Sequence, residues 1–301
     1  MRCVTVITAS TLAALFITLC PNVALGQGHV IVEQDVIYGE AGGSALMADV
    51  AYPVLEEPLP AIIYVHGGRW RAGERTGRER LDVYEWATKG FFAMTIDYRL
   101  VPGSPAPASY QDLLCAIRWM HTHAEEYGVD SNRIYLIGNS AGGHLVSLVA
   151  TLGDGPYEKT GGWDDARSDV RAVISAAAPY ELNTLSWGNL WAPIAGDIHR
   201  PGRYSRSSAR GSEEYEMSNV EEQRKIASPI SQINADTKPI LIIHSDDDGS
   251  VPVQQAHDMV AAMKAANAPH RFVHYTDRGH MRITEETITE ALAFISEVEG
   301  R

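Results

Sequence analysis

The sequence predicts an α/β fold, a mostly parallel twisted sheet flanked by helices, and three observations carry that expectation. From Ala61 onward, short β-branched runs alternate with longer helix-forming stretches, the pattern of repeated βαβ units. The run Arg133-Ile-Tyr-Leu-Ile-Gly-Asn-Ser-Ala-Gly-Gly-His144 passes from strand to tight turn and straight into the helix-forming Leu145–Ala150. With the N-terminal apolar segment set aside, about 275 residues remain, enough for one large domain with a well-buried core.

Met1-Arg2 supplies one positive charge ahead of the apolar run from Val4 to Leu19, and Pro21 and Ala24-Leu25-Gly26 follow. This pattern predicts a signal peptide over residues 1–26, cleaved before Gln27, and a single domain over 27–301. The run falls short of the roughly 20 residues that span a bilayer, so no stable membrane insertion is expected. The expected location is secreted or periplasmic. Cys3 and Cys20 leave with the segment and Cys115 remains alone, so the exported domain has to stand on its core without disulfides. A net charge of −13 argues against nucleic acid and anionic membranes as partners.

Next, Val30–Ile37 and Ala45–Tyr52 alternate as two strands around a glycine-rich gap, which predicts an N-terminal antiparallel hairpin. Strands follow at Ala61–His66, Phe91–Asp97, Arg133–Asn139, Val170–Ala176, Pro239–His244 and Arg271–Tyr275. Helices are expected at Arg78–Lys89, at Ser109–Tyr127, after Ser140, at Val253–Ala266 and at Thr284–Val298. The stretch from about 180 to 225 breaks this rhythm, and a long insertion inside a compact domain is usually functional or disordered. It is expected to form a cap, and Trp70, Trp187 and Trp191 are candidates for an apolar substrate wall.

The chemistry centres on Gly138-Asn139-Ser140-Ala141-Gly142. A bare G-x-S-x-G arises by accident in roughly one chain in ten of this length. Its position between a strand and a helix is what makes it a nucleophile elbow, with Ser140 strained and its hydroxyl exposed. The glycine-rich exit His66-Gly67-Gly68-Arg69-Trp70 offers the N–H groups of Gly68 and Arg69 to a developing oxyanion, and Ala141 completes the hole. Arg69 is expected to serve through its N–H provided its φ is negative. Its guanidinium either points outward or faces the pocket, where it would favour anionic esters.

An acid after the strand ending at His244 can orient a histidine, but Asp246, Asp247 and Asp248 are not separated by spacing alone. Three aspartates also invite a metal reading, which the neighbouring histidines do not support with a recognisable ligand set. His280 follows the next strand and completes the order Ser, Asp, His. The remaining histidines, including His144 and His244, read as structural.

His66–Trp70, Asp97-Tyr98-Arg99-Leu100, Gly138–Gly143, Ala227-Ser228-Pro229-Ile230, His244–Pro252 and Gly279-His280 together resemble an α/β-hydrolase of the carboxylesterase type. The group is that of feruloyl and acetyl-xylan esterase-like enzymes and the hormone-sensitive-lipase relatives. The resemblance implies an α/β-hydrolase fold, Asp248 as the acid, and Gly68, Arg69 and Ala141 as oxyanion donors. It implies a serine carboxylesterase that needs no cofactor and no metal, acting on short-chain or aryl esters, small or linked to plant polysaccharide. Arg69 departs from the commoner third glycine, and the H-G-G-x-W variant keeps a formamidase-like amide hydrolase as an alternative. A silent binding protein on the same fold is the other alternative.

Overall fold

A computed structural model describes residues 29–77, 83–101, 103–104, 106–183 and 220–301. The expected signal segment, Trp187 and Trp191 lie outside the described residues, as does all of the insertion except its two ends. Among the described residues, no helix is long and apolar enough to cross a membrane.

Strands β1 (Val30–Ala41) and β2 (Ser44–Pro53) form the expected antiparallel hairpin, longer than its sequence pattern indicates. Gly42 and Gly43 explain the extra length, since both adopt positive φ (61° and 77°), which suits a two-residue turn. Next come β3 (Leu59–Val65), α1 (Val83–Thr88), β4 (Phe92–Ile96), α2 (Ala108–His123), β5 (Val129–Asn139) and α3 (Ala141–Leu152). After β6 (Ala172–Ala176), the chain continues through α4 (Val220–Ile226), β7 (Ile240–Ser245), α5 (Gln254–Ala265), β8 (His270–Tyr275) and α6 (Glu285–Val298).

These strands make one eight-stranded sheet in the order β1-β2-β4-β3-β5-β6-β7-β8. The pairs β1–β2 and β2–β4 are antiparallel, and every pair from β4–β3 to β7–β8 is parallel. Strands buried on both faces read as continuous apolar runs, and the pleat then sends alternate residues to opposite layers. Thus Ile63, Leu136 and Ile242 face one core with Leu113 of α2, Leu145 of α3 and Met259 of α5. Their neighbours Ile62, Ile137 and Leu241 face the other with Trp86 of α1 and Phe294 of α6. Thr284 caps α6 through a reciprocal pair with Thr287. This is the doubly covered open sheet expected of an α/β-hydrolase, and in such sheets sites form at the carboxyl ends of the strands.

Candidate active site

The carboxyl ends of β5, β7 and β8 carry the three residues singled out from sequence. At the end of β5, Ser140 adopts φ 54° and ψ −120°, outside the ordinary regions for a residue with a side chain, and α3 starts at the next residue. The turn is held from several sides. A Cβ at Gly142 would collide with the carbonyl oxygen of Val65, so only glycine lets the first turn of α3 touch the exit of β3. The Ser140 N–H donates to the Ala176 carbonyl at 2.9 Å, and the Tyr64 hydroxyl donates to the Asn139 side-chain oxygen at 3.0 Å. The strained serine is as expected, but its surface is not: Ser140 keeps only 4% exposure, because the β3 exit packs on the elbow.

The three aspartates separate clearly. Asp246 points outward and accepts from His274 Nε2 at 2.7 Å. Asp247 accepts from the Ser245 hydroxyl and the Gly279 N–H, each at 2.6 Å, while Ser245 Oγ accepts from the Arg278 N–H at 2.9 Å. It therefore clamps the turn that delivers His280. Asp248 is buried, and its Oδ1 accepts from the Ser250 and Val251 N–H groups at 2.8 Å each. His280 Nδ1 lies 3.0 Å from Oδ1 and 2.9 Å from Oδ2 of Asp248, which leaves Nε2 as the free end of the imidazole.

His244, read from sequence as a plain strand-end residue, stands against Asp248. Its Nε2–H donates to the Val251 carbonyl at 2.8 Å and lies 3.3 Å from Asp248 Oδ2. Burial by itself would raise the Asp248 pKa, but hydrogen bonds from His244, His280 and the Val251 N–H outweigh it and hold the carboxyl well below the usual carboxylate range. The spacing of His244 and Asp248 across a tight turn was the available signal, but it acquires meaning only once the turn folds back.

Upstream, Gly68, Arg69 and Trp70 all adopt positive φ (109°, 59° and 58°), and the Arg71 and Ala72 N–H groups both donate to the Gly68 carbonyl at 3.0 Å. Among the described residues, the N–H groups of Gly68 and Ala141 make no hydrogen bond, as oxyanion donors require. The negative φ expected of Arg69 is not found. That proviso was too strict, because the direction of an N–H is set by the peptide plane before the residue, and a left-handed φ costs stability without removing the donor. Trp70 is also corrected: it is fully buried and packs edge-on against His144, with ring centroids 5.2 Å apart. It belongs to the core and has no surface for a substrate.

The loop is tied down by the Asp97-Tyr98-Arg99 segment. The Tyr98 ring stacks on His66 at 4.2 Å, and its hydroxyl donates to the His66 carbonyl at 2.9 Å. The Arg75 guanidinium pairs with Asp97, Asp49 and Asp35, and Arg99 pairs with the buried Asp112 at 2.7 Å.

Two stability predictions follow from this geometry. Because the folded-state pKa of Asp248 is depressed, the stability it contributes is complete above the ordinary value of 3.8 and is lost as pH falls below it. Urea midpoints measured from about pH 5 down to about pH 2 should therefore fall more steeply for the wild type than for Asp248→Asn. Parallel curves would contradict this. Arg69→Gly should stabilise the fold by about 1 kcal/mol through relief of the left-handed backbone, read as a higher urea midpoint at unchanged slope.

The BD-FAE family model matches residues 49–263. The probable carboxylic ester hydrolase LipM of Mycobacterium tuberculosis is 28% identical over 232 residues, which cover 76% of this chain and 51% of LipM. The chain spans about half the length of the curated relatives it matches. Among solved structures, a truncated carbohydrate esterase from gut microbiota superposes with a TM-score of 0.70 at 23% identity, covering 92% of this chain and 99% of that one. The propionate-bound thermophilic esterase Est2 of the Planctomycetes species Thermogutta terrifontis superposes with a TM-score of 0.69 at 23% identity, covering 91% and 95%. These two show the fold. The chain belongs to the BD-FAE family, within the α/β-hydrolases of the carboxylesterase type.

Proposed function

We propose that this protein is a serine carboxylesterase that hydrolyses esters through an acyl-enzyme. The observation that carries the reading is the Asp248–His280 pair, with its imidazole anchored through Nδ1, on the same sheet edge as the strained Ser140 elbow. His280 Nε2 takes the proton from the Ser140 hydroxyl as its oxygen attacks the ester carbonyl. Asp248 holds the imidazole in that tautomer and stabilises the imidazolium, and the N–H groups of Gly68, Arg69 and Ala141 receive the oxyanion. Collapse of the tetrahedral intermediate sends the proton from His280 to the departing alkoxide and leaves the acyl group on Ser140. Water, deprotonated by the same imidazole, then attacks the acyl-enzyme and releases the acid. No cofactor is required for this sequence.

The substrate class belongs to the same proposal: short-chain or aryl esters, including esters borne on plant polysaccharide. The carbohydrate esterase neighbour and the propionate-bound neighbour support that choice by analogy of fold. We further propose export, because the run Val4–Leu19 followed by Ala24-Leu25-Gly26 is built like a cleavable leader.

Ser140→Ala should abolish covalent labelling by an organophosphonate and lower kcat by on the order of a millionfold, and Asp248→Asn should lower it by about ten-thousandfold. Labelling of the Ser140→Ala protein at another serine would overturn the assignment. A panel of p-nitrophenyl acetate, butyrate and octanoate, methyl ferulate, acetylated xylan and N-formylkynurenine tests the substrate class. Preference for the formamide would replace the ester reading with an amide hydrolase. The leader is tested by expressing the full chain in a secreting host and sequencing the N-terminus of the exported protein. Export with cleavage before Gln27 is expected, and retention of Met1 on cytosolic protein would reject it.

A further inference from the structure

We propose that Asp246, His257 and His274 form a surface binding site for a zinc-class divalent cation, separate from the active site. One ligand atom from each of the three side chains lies within 4.8 Å of the others. Donors placed about 2.0–2.1 Å from a tetrahedral zinc ion stand about 3.3 Å apart, so small rotations of three exposed side chains close the set. Two imidazoles and one carboxylate are a donor set that suits zinc, leaving the fourth position to water.

The set is carried on three different elements that are already fixed against one another. Asp246 follows β7 directly, and its N–H donates to the Tyr275 carbonyl of β8 at 2.9 Å. His274 lies on β8, and His257 lies in the first turn of α5. The Phe272 ring orients both imidazoles, stacking on His274 at 5.4 Å and meeting His257 edge-on at 5.6 Å. The two imidazoles meet nearly at right angles, with centroids 5.2 Å apart. In the metal-free state Nε2–H of His274 donates to Asp246 Oδ1 at 2.7 Å. A cation takes the place of that hydrogen, with the ring's remaining hydrogen on Nδ1. A net charge of −13 favours accumulation of divalent cations near this surface.

Spacing in the sequence hides the set, since the two histidines lie far from Asp246 along the chain. Two residues along the chain from Asp246, Asp248 faces inward and is buried. A cation bound at Asp246 therefore joins β7, β8 and α5 without entering the catalytic pair.

The test uses purified, chelator-stripped protein. Zinc titrated by calorimetry should bind at one equivalent and raise the melting temperature. Cobalt(II) should give visible bands of a tetrahedral nitrogen and oxygen site. His257→Asn and His274→Asn should each weaken zinc binding by roughly tenfold or more while leaving ester hydrolysis in chelator unchanged. Asp246→Asn keeps the side-chain volume and should weaken binding likewise, which separates loss of a ligand from loss of fold. His280→Ala should leave zinc affinity unchanged. Absence of uptake at millimolar zinc, uptake that survives all three ligand variants, or uptake lost in His280→Ala would each overturn the site, the last by moving the cation to the active centre.

Discussion

The site depends on one steric constraint: the first turn of α3 and the exit of β3 touch backbone to backbone at Gly142. That contact fixes the proposed nucleophile and the proposed oxyanion loop as a single body, because the chain leaving Val65 becomes His66–Trp70 directly. The loop in turn is anchored to the exit of β4. Tyr98 stacks on His66 and binds its carbonyl, and Arg75 reaches back to Asp97. A serine oxygen that must reach a carbonyl carbon while N–H donors reach the oxygen of the same carbonyl needs this rigidity, since a displacement of about 1 Å can cost about a hundredfold in rate.

The acid is governed by a different constraint. A carboxylate buried as deeply as Asp248 costs several kcal/mol to desolvate unless every lone pair is met, and here two backbone N–H groups, His280 and His244 meet them. The neighbouring aspartates illustrate the rule by contrast. Asp246 and Asp247 remain exposed, where the first accepts from a neighbouring histidine and the second from a neighbouring turn, and only the residue turned inward meets His280. Three identical side chains thus take three roles by orientation alone.

This is also why the fold was more legible in the sequence than the details of the site. Strands buried on both faces must be apolar throughout, so β3, β5, β6 and β7 stand out as runs such as Ala61–Val65 and Leu241-Ile-Ile. The elbow was legible because its glycines are demanded by backbone contact, a local requirement. Asp248 could be chosen among its neighbours only through family resemblance, since the direction of each side chain is decided by a turn that closes through long-range contacts with Arg278 and Gly279. His244 and Trp70 depart from their sequence expectations for the same reason. Neither carries a local mark that distinguishes support of the site from plain strand end or substrate wall.

Trp70 acquires its meaning from what lies behind it. Its ring meets His144, which stands in the first turn of α3, and His144 Nε2–H donates to the Ala227 carbonyl at 2.7 Å. Burial pushes the His144 pKa down to about 4, so at neutral pH the ring is uncharged and keeps one hydrogen for that bond. Ala227 stands beside Ser228, whose hydroxyl accepts from the Leu182 N–H at 2.8 Å, while the Gln255 side chain accepts from the Tyr180 and Glu181 N–H groups at 2.8 Å each. Both described ends of the insertion are therefore fastened to each other and, through His144 and Trp70, to the nucleophile helix and the oxyanion loop. A large buried aromatic one residue past the proposed hole thus packs the loop onto α3, and the two described ends of the insertion meet beside it in the chain's hydrogen bonding, where the Asn183 side-chain amide donates to the Glu221 carbonyl at 2.8 Å.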